Sequence, residues 1–130
     1  GSLVGTATAS LPESHDDRVG VLAAIELANA RWREGASQEE AASVAGMGLT
    51  KFKRLFRNTT GSTWSAYLTA RRMREARVLL ASGKAVAEAA RKVGYRSPTS
   101  FSAAFSRAYG VSPHQFKSET KARVVEVASE

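Results

Sequence analysis

The stretch Leu49–Thr60, LTKFKRLFRNTT, decides how the rest of the chain is read. As a helix it has two faces. Phe52, Leu55, Phe56 and Thr59 recur at i, i+3, i+4 and i+7 and form a narrow, mostly apolar stripe. Thr50, Lys53, Arg54 and Arg57 repeat the same spacing on a neighbouring face, which carries three cations and no carboxylate. A helix that buries phenylalanine on one side and presents Lys and Arg on the other suits a negatively charged groove.

The charge of the whole chain points the same way once it is divided. Residues 1–49 hold three basic and seven acidic side chains, a net of −4. Residues 50–118 hold fourteen basic and two acidic ones (Glu75 and Glu88), a net of +12, and residues 119–130 contribute −1, which together give the overall +7. A basic middle between acidic ends is the electrostatic footprint of a polyanion binder. A solvated basic surface without a partner is the competing reading of charge alone. The length of 130 residues suits one domain with tails, and 43% hydrophobic content is ordinary for a globular core. No apolar run approaches the roughly 18–20 residues of a membrane span. The N-terminus lacks the pattern of a secretory signal, and Gly1-Ser2 reads as a cloning remnant. The absence of cysteine excludes disulfides and thiolate metal sites and fits a reducing, cytoplasmic setting. His15 and His114 are the only histidines and lie far apart, so no zinc-ligand set is expected. No Gly-rich phosphate loop, paired-carboxylate constellation or Ser/His/Asp arrangement supports an enzyme, and no cofactor is expected.

Outward from the opening stretch, the chain reads all-α. Residues 1–17 are small, polar and aperiodic and are expected to form a disordered tail or interdomain linker. A first helix is expected from about Arg18, with Leu22, Ile25, Asn29 and Trp32 on one side and Gly35 as its stop. Ser37 and Glu40 form a capping box for a short helix that breaks at Gly46. Gly61 ends the opening stretch. The longest pattern is Ser62–Ala81, with Arg72 on its apolar face beside Leu68 and Ala76, and Trp64 and Tyr67 expected in the core. Its roughly 19 residues would span about 28 Å. A fifth helix covers Val86–Val93. Ser97-Pro98 opens a sixth that ends at Gly110, and Ser112-Pro113 opens a seventh.

Two of these segments are copies. EAASVAG (Glu40–Gly46) precedes EAARKVG (Glu88–Gly94) by 48 residues, and Phe52, Phe56 and Gly61 match Phe101, Phe105 and Gly110 at an offset of 49. Each copy is a short helix with alanine and glycine four apart, a tight turn and a longer helix. That is the logic of helix-turn-helix: a small residue permits a close crossing and glycine a turn with positive φ.

These residues resemble the DNA-binding domain of AraC/XylS-type bacterial transcription regulators over roughly Arg18–Lys117. The resemblance is carried by VAEAARKVGYRSPTSFSAAFSRAYGVSPHQFK (Val86–Lys117), LFRNTTG (Leu55–Gly61) and YLTARRMREARVLL (Tyr67–Leu80). It implies about seven helices forming two helix-turn-helix subdomains joined by a long linker helix. The first unit would cover about 18–61, the linker helix about 62–82 and the second unit about 85–118, with 119–130 as a C-terminal extension. The second helix of each unit would enter successive major grooves of double-stranded promoter DNA. The expected linker length fits a groove repeat of about 34–36 Å. RNA polymerase is the further partner implied, along with an N-terminal sensing or dimerisation domain outside these residues.

Carried over position by position, the pattern puts Thr50, Lys53 and Arg54 at base edges, with Lys51 and Arg57 where phosphate contacts fit. Arg54 can grip guanine O6 and N7 with two bonds. In the second unit the base-facing positions are Thr99, Ser102 and Ala103, with Arg96, Ser106 and Arg107 placed for the backbone. Ala103 stands at the position that matches Arg54, where many relatives carry a long polar residue, so two-bond base readout is absent there. Gly48 stands where relatives usually carry a capping serine. Arg72 matches the family's inward arginine and is expected in a structural ion pair. The competing function is a nonspecific nucleic-acid or nucleoid-binding helical protein. A basic module that docks an acidic protein is more distant, and the related DNA-repair alkyl transferases need a cysteine that is absent here.

Overall fold

The computed structural model describes residues 14–129, with side chains as far as Arg123. Seven helices and no strand are present among them: α1 (His15–Ala30), α2 (Gln38–Ala45), α3 (Leu49–Thr60), α4 (Trp64–Ala81), α5 (Val86–Lys92), α6 (Pro98–Tyr109) and α7 (Pro113–Ser129). The all-α expectation and the order of the helices are met. No helix among the described residues is long and apolar enough to cross a membrane.

The described residues divide into two compact units. The first holds residues 14–30 and Ala36–Trp64, and the second holds Arg31–Gly35 together with everything from Ser65 onward. In the first, α1 starts at His15, three residues before the expected Arg18, because the Ser14 hydroxyl accepts the Asp17 amide at 3.0 Å and caps it. Residues 15–17 are therefore helical and not tail, while residues 1–13 of the expected tail lie outside the described residues. The buried face of α1 also differs from the expected one. Gly20, Val21, Ala24 and Ala28 face inward, whereas Leu22 is 57% exposed and Asn29 is exposed. Small side chains win that face because α1 lies close to α2: a methyl group at Gly20 would collide with the Ala45 carbonyl. Ala41, Ala42 and Ala45 complete the small-residue contact surface. The Ser37 hydroxyl accepts the Glu40 amide at 3.0 Å, as the capping box requires. The aromatic part of this core is Phe52, Phe56 and Trp64, whose ring centroids lie 5.4–6.0 Å apart. The Trp64 indole N–H is satisfied by the Ala36 carbonyl at 2.6 Å.

The second unit repeats this plan with more aromatic content. Phe101 and Phe105 are fully buried, and Phe105 meets both Tyr109 and Phe116 at 4.9 and 5.6 Å between centroids. Met73, Ala76 and Leu80 of α4 and Val86, Ala89, Ala90 and Val93 of the α5 region close the core. The chain segment 31–35 belongs here. Trp32 packs against this core, and Arg72 donates to the Trp32 and Arg33 carbonyls at 2.9 and 3.3 Å. Arg72 is thus structural, but its partners are backbone oxygens and not the carboxylate expected. Arg33 donates in turn to the Lys92 and Arg91 carbonyls at 2.8 and 3.2 Å, so a cation caps the negative end of α5. α7 continues as helix through Ser129, so residues 119–129 extend it.

Candidate nucleic-acid interface

The repeat is conformational as well as sequential. α2 ends with Gly46 at φ 74°, where the Gly46 and Met47 amides bond back to the Ser43 and Ala42 carbonyls. Forty-eight residues on, Gly94 has φ 96°, and the Gly94 and Tyr95 amides bond to the Arg91 and Ala90 carbonyls. From α3 the offset becomes 49: the Phe52 amide bonds to the Gly48 carbonyl as the Phe101 amide does to Ser97, and the Gly61 amide to Arg57 as Gly110 does to Ser106. The inserted residue is therefore Arg96, in the turn of the second unit.

In α3 the division into faces follows from the spacing of its residues. Phe52, Leu55 and Phe56 are buried, and Thr50, Lys51, Lys53, Arg54 and Arg57 are all exposed. Thr59, expected on the apolar stripe, is exposed, and Thr60 is partly buried in its place, its hydroxyl donating to the Phe56 carbonyl at 2.8 Å. Among the described residues no carboxylate pairs with Lys53, Arg54 or Arg57, which leaves three cations hydrated on one helix face. Lys51 differs, since its ammonium lies 2.9 Å from Asp17 Oδ1 on α1. Gly48 starts the helix with no side-chain cap, as its lack of a hydroxyl dictates.

α6 has the same frame with a different outer face. The Ser97 hydroxyl accepts the Ser100 amide at 3.1 Å, and Pro98 occupies the first helical position, where a missing N–H costs nothing. Thr99 and Ala103 are exposed, whereas Ser102 and Ser106 are half-buried. Long donors are absent from this face. Arg107 is exposed on the flank, and exposed Arg96 lines a cleft with Arg33, Arg91 and Ser97 beside the turn. The structure thus gathers Thr50, Lys51, Lys53, Arg54 and Arg57 on one helix of the first unit. It gathers Thr99, Ser102, Ala103, Ser106 and Arg107 on the matching helix of the second, with Arg96 at its entrance.

Three residues of these surroundings escaped the sequence reading. Asp17 reaches Lys51 across 34 positions, and Arg33 and Arg91 join Arg96 only through the fold. The acidic first turn of α1 was a usable sign for Asp17, but nothing local announces Arg33. On α4, Arg71 lies over the Trp32 ring at 5.4 Å and pairs with Glu75, and Arg77 lies over Tyr109 at 5.1 Å. These two arginines are engaged with the protein itself, while Arg74 of the same helix is exposed.

Comparison with known proteins agrees with this geometry. The sequence profile of a family described as a helix-turn-helix domain matches residues 41–119. The probable transcriptional regulator LumQ of Photobacterium leiognathi is 35% identical over 82 residues, which are 62% of this chain and 33% of that protein. The virulence regulon transcriptional activator VirF of Yersinia enterocolitica is 37% identical over 71 residues, 54% of this chain and 26% of that one. The chain thus spans a third or less of the length of these relatives. Among solved structures, the DNA-binding domain of AdpA, a global transcriptional factor in complex with a target DNA, superposes with a TM-score of 0.73. It is 30% identical, and the match covers 80% of this chain and 95% of that one. An AraC-type regulator from Chromobacterium violaceum shares the fold, with a TM-score of 0.71 at 23% identity over 79% of this chain and 93% of that one. On the profile match and these likenesses, the chain belongs to the AraC-type helix-turn-helix family.

Proposed function

We propose that this chain is the sequence-specific DNA-binding part of a bacterial transcription regulator, with α3 and α6 entering successive major grooves. One observation carries the reading: an exposed Thr50/Lys53/Arg54 face backed by a buried aromatic core, on a helix whose whole frame recurs 49 residues later. Arg54 grips a guanine edge, Lys53 donates to a neighbouring acceptor and Thr50 makes a single bond or methyl contact. Lys51 and Arg57 hold phosphates. In the second unit Thr99, Ser102 and Ala103 touch bases only through short side chains. Arg96, Arg107 and Ser106 secure the backbone, so discrimination there comes from DNA shape and deformability. The complex forms in the cytoplasm near promoter-bound RNA polymerase, and a sensing or dimerisation domain accompanies this one in the full protein. The relatives are transcription regulators, which supports binding and not catalysis as the role.

The reading is tested by selecting duplexes from a random pool, then footprinting and titrating salt. Protection of two successive major grooves is expected, with cognate binding tighter than scrambled by roughly 4–10 kcal/mol. Protection of a single groove contradicts the bipartite arrangement. Equal affinity for cognate and scrambled duplexes, both falling with salt, favours the nonspecific nucleic-acid binder.

A further inference from the structure

Lys51 differs from the other cations of α3. It stands in the first turn of the helix, directly after Thr50, yet its ammonium is 2.9 Å from Asp17 Oδ1. The pair is only partly hydrated, with the Asp17 side chain 19% exposed and Lys51 47%. Asp17 is fixed in place because its own amide is held by the Ser14 hydroxyl at the start of α1. The Lys51 ammonium first, then the Ser14 donors, keep the Asp17 carboxyl below the usual carboxylate range, so it is an anion at neutral pH. The helix dipole favours an acid in this turn, but Asp16 meets that preference as well. Only Asp17 reaches across to α3 among the described ion pairs. The second unit has no counterpart: the residue 49 places after Lys51 is Ser100, a neutral side chain whose hydroxyl and amide serve the Ser97 cap.

We propose that Asp17 is an internal competitor for phosphate, which occupies Lys51 and thereby lowers the sequence-independent hold of the first unit on DNA. The inference rests on the DNA-binding reading above. A carboxylate and a phosphate oxygen present the same anionic acceptor to an ammonium, so a duplex must share or displace Asp17 to use Lys51. A phosphate brought to that edge also meets a fixed negative charge. Both effects act on any duplex, whatever its bases. Lys53 and Arg54 carry no such partner and keep their full reach toward base edges. Asp17 therefore weakens the sequence-independent grip beside the base-reading side chains, on selected and scrambled DNA alike, and leaves the discrimination between sequences intact.

The test compares the unaltered chain, D17N, K51M and the double variant on a selected and a scrambled duplex between low and moderate salt, with thermal unfolding to confirm the fold. D17N is expected to tighten binding to both duplexes by the same several-fold factor. It should also steepen the dependence of log K on log salt by up to about 0.9, the value of one added phosphate contact. On the K51M background at least about half of that gain disappears, as a double-mutant cycle assigns to the pair. Weaker binding by D17N overturns the proposal, because the carboxylate then aims Lys51 at the phosphate. An undiminished gain on the K51M background also overturns it. If the unaltered chain binds duplex DNA and D17N is unchanged, this inference alone fails. If the unaltered chain binds no duplex at all, the DNA-binding reading fails and takes this inference with it.

Discussion

The two helix-turn-helix units share a frame and differ in their outer faces. Turn glycines, buried phenylalanine pairs and helix-ending amides superimpose in kind, down to the same bond from Gly61 to Arg57 and from Gly110 to Ser106. Yet α3 is uncapped and cationic, while α6 is capped by Ser97 and faces outward with small side chains. The frame is what a helix needs in order to be held at a fixed angle, so packing constrains it in both copies. The outer faces take little part in the buried cores, with Thr50, Lys53, Arg54, Thr99 and Ala103 all exposed, so they are freer to diverge with the task. The lesson is that a shared fold assigns position, and the exposed side chains assign the share of recognition.

Paired substitutions in the two units measure how far their frames are equivalent. The largest effects are expected in the shared frame. Phe52→Ala and Phe101→Ala each empty a fully buried site, and each should cost about 3–5 kcal/mol of stability in urea unfolding. A near-zero cost at either would show that the two cores are not equivalent. Next come the turn glycines, where the frames differ. Gly46→Ala meets open space and should cost about 1–2 kcal/mol for its left-handed backbone. At Gly94 a Cβ would lie 2.6 Å from the Arg33 carbonyl, so Gly94→Ala should add roughly 1–3 kcal/mol of overpacking. Equal costs at the two glycines would deny that the 31–35 segment is seated firmly on the second unit. Loss of the α6 cap by Ser97→Ala should cost about 1 kcal/mol. The smallest change runs the other way: Gly48→Ser supplies the missing hydroxyl to α3 and should gain a few tenths of a kcal/mol, seen as a slightly higher thermal midpoint.

Much of this was legible in the chain because it depends on local chemistry. Leu49–Thr60 shows its two faces through 3.6-residue spacing, and Gly46, Gly61 and Gly110 sit at positive φ as their places after helical runs imply. Ser37, Ser97 and Ser112 each accept the amide three residues on. What escaped depends on contacts distant in sequence. The buried face of α1 is not the one that its large apolar residues suggest, because a close crossing selects Gly20, Ala24 and Ala28 and leaves Leu22 outside. Arg72 sits on an apolar face as expected. That its partners are the Trp32 and Arg33 carbonyls follows from residues 31–35 joining the second unit, which no periodicity encodes. The Asp17–Lys51 pair is of the same kind. Of the candidate site, the exposed cations of α3 could be read from spacing. The partial burial of Ser102 and Ser106 could not, because it is set by how α6 packs in its unit.

The proposed division of labour concentrates base readout in α3 and leaves mainly backbone and shape to α6. Its most direct test is the affinity of Arg54→Ala and Ser102→Ala for one selected duplex and for variants of it changed one base pair at a time. Arg54→Ala should lose about 1–3 kcal/mol, with discrimination relaxed at a single base pair. Ser102→Ala should lose clearly less at every position. A larger loss from the serine substitution, or a loss from Arg54→Ala that is uniform across all sequences, would contradict the assignment of base reading to α3.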